Sequence, residues 1–273
     1  MRKLLVGSAL IAVTVSLVAQ ENAPAPAAPP GNTGGTAIRR PVPAGPVPRL
    51  PDGRVDLSGV WLGGGPNGDI ERDGGLKPGE VDNLMLPWAK ARMLENGKDE
   101  SRNDPHNYCL PQGVPRMAPF PIRFVQDPPH KAATHMFILF EGNAHMFRQV
   151  FMDGRKHPAE IDPTWFGHSI GWFEGDTFVI DSRGFNDRFW FDRRGHPHTE
   201  QLHTIERFTR KNMGTMEIKV TVEDPGAYAR PFTLTFNARL SNPGDELMEY
   251  VCQENNQYGI AGGHANPLAE PAK

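Results

Sequence analysis

Six of the ten histidines lie between residues 145 and 203: His145, His157, His168, His196, His198 and His203. Asp153, Asp187, Asp192, Glu200 and Glu206 share that stretch. An imidazole titrates near pH 6.5, so it can give or take a proton at neutrality, and a carboxylate can orient it. The densest segment runs His196-Pro197-His198-Thr199-Glu200-Gln201-Leu202-His203. Pro197 cannot donate a ladder hydrogen bond, so a strand is expected to begin near His198. Alternation then places His198, Glu200, Thr204 and Glu206 on one face and His203, Ile205 and Arg207 on the other. The expected catalytic set is His198 as general acid or base, Glu200 or Asp187 to orient it, and His168 across the pocket.

Other chemistries fare less well. His198, Glu200 and His203 do not converge on a strand as His-Glu-x-x-His does on a helix. A metal set would instead join His198 and Glu200 to His168, a three-ligand arrangement of the catalytic-zinc kind. The main expectation is a site without a cofactor, with that metal set as the alternative. Ser169 lacks a Gly-x-Ser-x-Gly elbow. Gly63-Gly64-Gly65 lacks the lysine of a phosphate loop, and there is no dinucleotide fingerprint. The loop over residues 184–192 carries Phe185, Phe189, Trp190 and Phe191 among charges and amides. That composition suits a pocket mouth that stacks a ring, or a lid packed shut over a core. The substrate-binding residues expected are Trp165, Phe185, Asn186, Trp190, Glu206 and His203. The turn chemistry of Asp153-Gly154, Glu174-Gly175-Asp176 and Asn186-Asp187 favours reading those acids as turn formers.

Strands must position these groups. Residues 134–140 and 144–152 flank Gly142-Asn143, and residues 168–173 and 177–181 flank Glu174-Gly175-Asp176. Residues 199–210 and 215–223 flank Asn212-Met213-Gly214. Residues 232–240 alternate apolar and polar, and residues 247–254 are expected to form the last strand. One helix is expected, with Pro87 in its first turn and Gly97 as its stop. Met216, Ile218, Val220 and Val222 must face the core. A three-residue loop over 212–214 then pairs Lys211 with Thr215 and turns Phe208, Glu206, Thr204 and Glu200 inward. A four-residue loop would bury His203, Ile205 and Arg207 instead. Gly214 and Phe208 favour the first register. A buried Glu206 then needs a partner from another strand, such as Arg148 or Arg239.

Successive hairpins with few helices predict an all-β fold, an antiparallel meander closing as a barrel with one short helix and long loops. Asp56-Leu57-Ser58-Gly59-Val60-Trp61 resembles the Gly-x-Trp signature on the first strand of lipocalin-like (calycin) barrels. The resemblance implies that Trp61 plugs the closed end against an arginine from the last strands, with Arg239 as the candidate. A longer string, from Phe151-Met152-Asp153-Gly154-Arg155 through Gly184-Phe185-Asn186-Asp187 and Pro197-His198-Thr199-Glu200 to Ile205-Glu206-Arg207, looks like a group of secreted bacterial proteins of unassigned function. It implies no activity.

The chain has 273 residues with 29 Gly and 27 Pro, and this weighs against a helical bundle. The formal net charge of −3 gives no electrostatic case for nucleic acid. Arg2 and Lys3, the apolar run over 4–18 and Ala19 form a signal-peptide pattern, expected to cover residues 1–19. Periplasmic or secreted localisation follows, without membrane insertion after cleavage. Residues 20–51 read as a Pro/Ala-rich tether, 52–255 as the barrel domain and 256–273 as a flexible tail. Export predicts a disulfide between the only two cysteines, Cys109 and Cys252. The function expected is a secreted barrel enzyme, a hydrolase, lyase or isomerase acting on a small ring-containing or apolar molecule. The alternative is a small-molecule carrier without catalysis.

Overall fold

The structure is a computed structural model, and it describes residues 42–252 apart from 118, 130–132 and 143–145. The expected signal peptide, the first part of the tether, the tail, His145 and the turn residue Asn143 lie outside the described residues.

Among the described residues, nine strands close into one barrel in chain order. They are β1 (Val60–Leu62), β2 (Ile122–Asp127), β3 (His135–Phe140), β4 (Phe147–Phe151), β5 (His168–Glu174), β6 (Thr177–Arg183), β7 (His203–Arg210), β8 (Thr215–Glu223) and β9 (Phe232–Leu240). β1 pairs with both β2 and β9, so no strand is left as an edge. The hairpins over 168–183 and 203–223 form as the turn residues predict. The second takes the three-residue register: His203 pairs with Glu223 and Phe208 with Ile218. Thr204, Glu206 and Phe208 are therefore buried.

Four expectations are corrected. β4 and β5 run parallel, Val150 beside Ser169, in an otherwise antiparallel barrel. Residues 152–167 form a connection long enough to return the chain to the same end. β7 starts at His203 rather than near His198, because Glu200 and Gln201 form a turn. Residues 247–252 form no strand, since β9 already pairs with β1 and fills the seam. Residues 42–51 are not free tether: Gly45 accepts from the Met213 amide, and Arg49 pairs with Asp176 at 2.7 Å. Sequence reading also misses β2, whose Ile122 and Phe124 face inward while Arg123 and Val125 face out.

Two short helices lie between β1 and β2 in the chain, α1 (Ile70–Asp73) and α2 (Pro87–Asn96). α2 has Pro87 at its start and Gly97 at its C-cap, as expected. Trp61 is fully buried and donates from Nε1 to the Leu57 carbonyl at 2.9 Å. Its cationic partner is Arg210, whose guanidinium carbon sits 4.9 Å from the ring, and not the exposed Arg239. Parity decides this. Arg210 lies on the inward face of β7 with Phe208, whereas Arg239 lies on the outward face of β9. The disulfide joins Cys109 to Cys252 across a sequence separation of 143.

Candidate functional site

Strand register links a row of inward side chains that runs from β2 to β9 without passing through β1. Gln126 pairs with Met136, Met136 with Val150, and Val150 with Ser169. Ser169 pairs with Ser182, Ser182 with Thr204, Thr204 with Val222, and Val222 with Phe232. Three hydroxyls thus sit side by side on β5, β6 and β7, flanked in the row by Met136 and Val150 on one side and Val222 and Phe232 on the other. Arg148, two residues before Val150, and Glu206, two residues after Thr204, lie on opposite sides of this row and approach to 2.6 Å, with side chains 2% and 6% exposed. Arg148 donates to Ser169 Oγ at 3.0 Å from Nε and to Ser182 Oγ at 2.5 Å from Nη2, and the two serine oxygens lie 2.9 Å apart. One polar atom here keeps open hydrogen-bonding capacity. Thr204 Oγ1 has no hydrogen-bond partner, whereas Glu206 Oε2 is ion-paired to Arg148. Buried polar atoms in that condition are uncommon and call for an explanation.

Residues 184–202 cover the mouth of this layer. Phe185, Phe189 and Phe191 are at most 1% exposed, so the aromatic loop is packed shut. Gly113, at φ +61, lets a neighbouring loop pass against it: a Cβ there would lie 2.4 Å from the Phe189 ring. His198 is wedged in the same aromatic layer, its ring centroid 3.9 Å from Phe189 and 5.1 Å from Phe191. Phe191 leads through Tyr228 to Phe232 on the barrel rim. His198 Nδ1 lies 3.2 Å from the Thr199 carbonyl. A carbonyl only accepts, so Nδ1 carries the proton and the buried Nε2, which has no partner, keeps its lone pair. Burial pushes the imidazole down to about 4 against weaker opposing pulls from the Thr199 carbonyl, Asp224 and Asp187. His198 is neutral at neutral pH.

The other expected site residues lie elsewhere. Glu200 is exposed in its turn, and Asp187 is exposed on the lid. His168 and His203 stand on the outer wall of the barrel in a hydrogen-bonded relay. His168 Nδ1 meets His157 Nδ1 at 2.9 Å, and Asp181 Oδ1 receives His157 Nε2 at 3.0 Å and His203 Nε2 at 2.9 Å. His203 Nδ1 reaches Glu223 Oε2 at 3.2 Å. The bond to Asp181 raises the His203 pKa, whereas burial and the neighbouring His157 lower that of His168. Trp165 is half-buried with Arg188 5.6 Å from its ring centroid. Asn186 is buried and accepts from the Arg188 amide at 3.1 Å, and the half-buried Trp190 offers its carbonyl to Arg116 at 3.4 Å. Of the expected set, Glu206 faces the interior, Phe185, Asn186 and His198 are buried in the lid, Asp187 and Glu200 are exposed on it, and His168 and His203 stand on the outer wall. His168, His198 and Glu200 do not form a metal-ligating group, and among the described residues no group of three or more His, Cys, Asp or Glu does.

Two polar clusters escape sequence reading. Arg116 and Asp104, 1% and 3% exposed, form a bidentate pair beside the lid. His196, fully buried, is held by Asp192 at 2.8 Å and by Asp82 at 3.0 Å, while Arg194 pairs with Asp82 at 2.5 Å. Burial opposes charge on His196, but the two carboxylates outweigh it and raise its pKa to about 9. His196 and Arg194 in turn hold the Asp82 carboxyl well below its usual range. These groups border a 420 Å³ cleft lined by Asp69, Glu71, Asp82 and Arg194. The four-residue spacing of Asp192 and His196 was the only local signal for this cluster.

No family model, curated protein or solved structure matches the chain.

Proposed function

We propose that the protein is an exported small-molecule-binding barrel that encloses its ligand between the polar layer of β5, β6 and β7 and the aromatic lid over residues 184–202. The observation that carries this reading is the layer itself. Ser169, Ser182 and Thr204 side by side in an otherwise apolar row, with Thr204 Oγ1 unpartnered beneath the packed aromatic segment, make an amphipathic interior. Trp61 and Arg210 seal the opposite end. Export is supported by the basic start, the apolar run over 4–18 and the disulfide. Among the described residues no helix is long and apolar enough to cross a membrane.

An acid–base enzyme is the second reading. One observation favours it, the neutral His198 with its open Nε2 under the lid. Against it, the carboxylates expected to orient that ring, Glu200 and Asp187, are exposed and make no hydrogen bond to it. Titration with the apolar fluorophore N-phenyl-1-naphthylamine tests the binding reading. Saturable enhancement at one site per chain is expected, and no saturable signal up to the solubility limit of the dye overturns it.

A further inference from the structure

We infer that the outer wall of the barrel beside residues 242–252 is a docking groove for a partner protein, taking a basic segment that carries a large apolar side chain between Lys or Arg residues. Residues 242–252 leave the end of β9 and form a strap against the wall, held at three points. The Ser241 amide donates to the Val60 carbonyl at 2.8 Å, the Met248 amide donates to Glu141 Oε2 at 2.8 Å, and Cys252 is bonded to Cys109. Two adjoining hollows of 470 and 590 Å³ lie between the strap and the wall, and Glu141, Leu247 and Met248 line both. The groove is thus formed before anything enters it, so little is lost to ordering this side of a complex.

Its floor is apolar and open to water. Leu139 of β3 and Phe147 of β4 are cross-strand neighbours on the outward face, and Phe147 is 58% exposed. Met248 stands on the strap at 70% exposure. An exposed apolar strip with an aromatic ring and a methionine has the composition of a protein contact. The charges choose the partner. Glu141, Asp245, Glu246 and Glu249 line the two hollows, and among the described residues no Lys, Arg or His does. Nucleic acid or an anionic lipid surface would meet like charge there. So would a second copy of the chain, because a two-fold contact through this face sets the same four carboxylates against themselves. A segment with Lys or Arg on both sides of an apolar side chain complements both features, the side chain against Phe147 and Met248 and the cations against the carboxylates.

The test is fluorescence anisotropy on the full chain at pH 7 with three labelled peptides: RRLWLRR, its acidic counterpart EELWLEE and RRSGSRR, which lacks the apolar side chains. RRLWLRR is expected to bind saturably with a Kd below about 100 μM, and about tenfold or more tighter than either of the others. Phe147→Ser should weaken it about tenfold and Glu246→Gln/Glu249→Gln about fivefold, the second effect fading as salt is raised. Glu200→Gln, a charge removed from the exposed turn before β7, should leave the Kd within about twofold. Equal binding of RRLWLRR and RRSGSRR, tighter binding of EELWLEE, an unchanged Kd in both groove variants or an equal loss in Glu200→Gln overturns the inference. So does a dimer in sedimentation, or binding to phosphatidylglycerol vesicles, that Phe147→Ser abolishes, since either gives the face to another occupant. The comparison of the three peptides on the unmodified chain decides the matter even where a variant fails to fold.

Discussion

Arg148 of β4 and Glu206 of β7 meet 2.6 Å apart inside the barrel, across the intervening strands β5 and β6. Ser169 and Ser182 on those two strands receive the same guanidinium. Each side chain is inward because its strand alternates, and the pair forms because closure brings both into one interior. A buried pair of this kind does little for net stability when intact, yet each member is costly to leave alone.

Removing one partner should therefore destabilise strongly. Glu206→Leu or Arg148→Met is expected to lose about 3–5 kcal/mol, read as a fall in the urea midpoint. The double variant should lose less than the sum of the two. Additive losses would show that the two charges are not coupled.

His196 and His198 should shape opposite limbs of the pH–stability curve. The His196 pKa is raised to about 9, so its contribution is complete below about pH 6.5 and disappears as pH rises through 9. The His198 pKa is lowered to about 4, so stability falls as pH drops from about 6.5 towards 4. Each limb is worth about 3 kcal/mol at most. Urea midpoints between pH 4 and 9.5 check this: His198→Asn should flatten the acid limb and His196→Asn the alkaline limb. Unchanged slopes in both variants contradict the assignment.

The disulfide closes a long loop, with Cys109 and Cys252 143 residues apart. Cys109→Ser/Cys252→Ser should lower stability by up to about 5 kcal/mol, because the unfolded chain regains that closure entropy. Thermal melting of the two forms without reductant measures the loss. Equal melting temperatures would show that the covalent link contributes nothing.

Arg210 should matter at the closed end and Arg239 should not. Arg210→Met removes the cation over Trp61 and donors to the Asp56, Asn212 and Met213 carbonyls, and is expected to cost about 2–4 kcal/mol. Arg239→Met is expected to fall within about 0.5 kcal/mol of the native protein. Trp fluorescence during urea unfolding reports both.

Glu200→Gln should be silent. The residue is exposed in a turn, so stability should stay within about 0.5 kcal/mol, and dye binding should be unaltered. A loss of more than threefold in dye affinity would place Glu200 in the site after all.

Local signals carried much of the fold. Turn residues at 174–176 and 212–214 with alternating flanks determined two hairpins, and the inward demand of Met216, Ile218, Val220 and Val222 determined the register that buries Glu206. That register also required an arginine from another strand, and Arg148 supplies it. A signal-peptide pattern and only two cysteines pointed to the disulfide, which the structure contains. The site was less legible because its members are far apart in sequence and each looks ordinary alone. Ser169, Ser182 and Thr204 become one polar sector only when three strands pair in register, and a hydroxyl on a strand has no sequence mark. The histidine-rich segment misled for the opposite reason. Neighbours in sequence were assigned to one strand, but the turn at Glu200 breaks the alternation. His198 goes into the lid and His203 to the outer wall. Periodicity holds only within an unbroken element, and which face becomes the interior is decided by closure of the whole sheet.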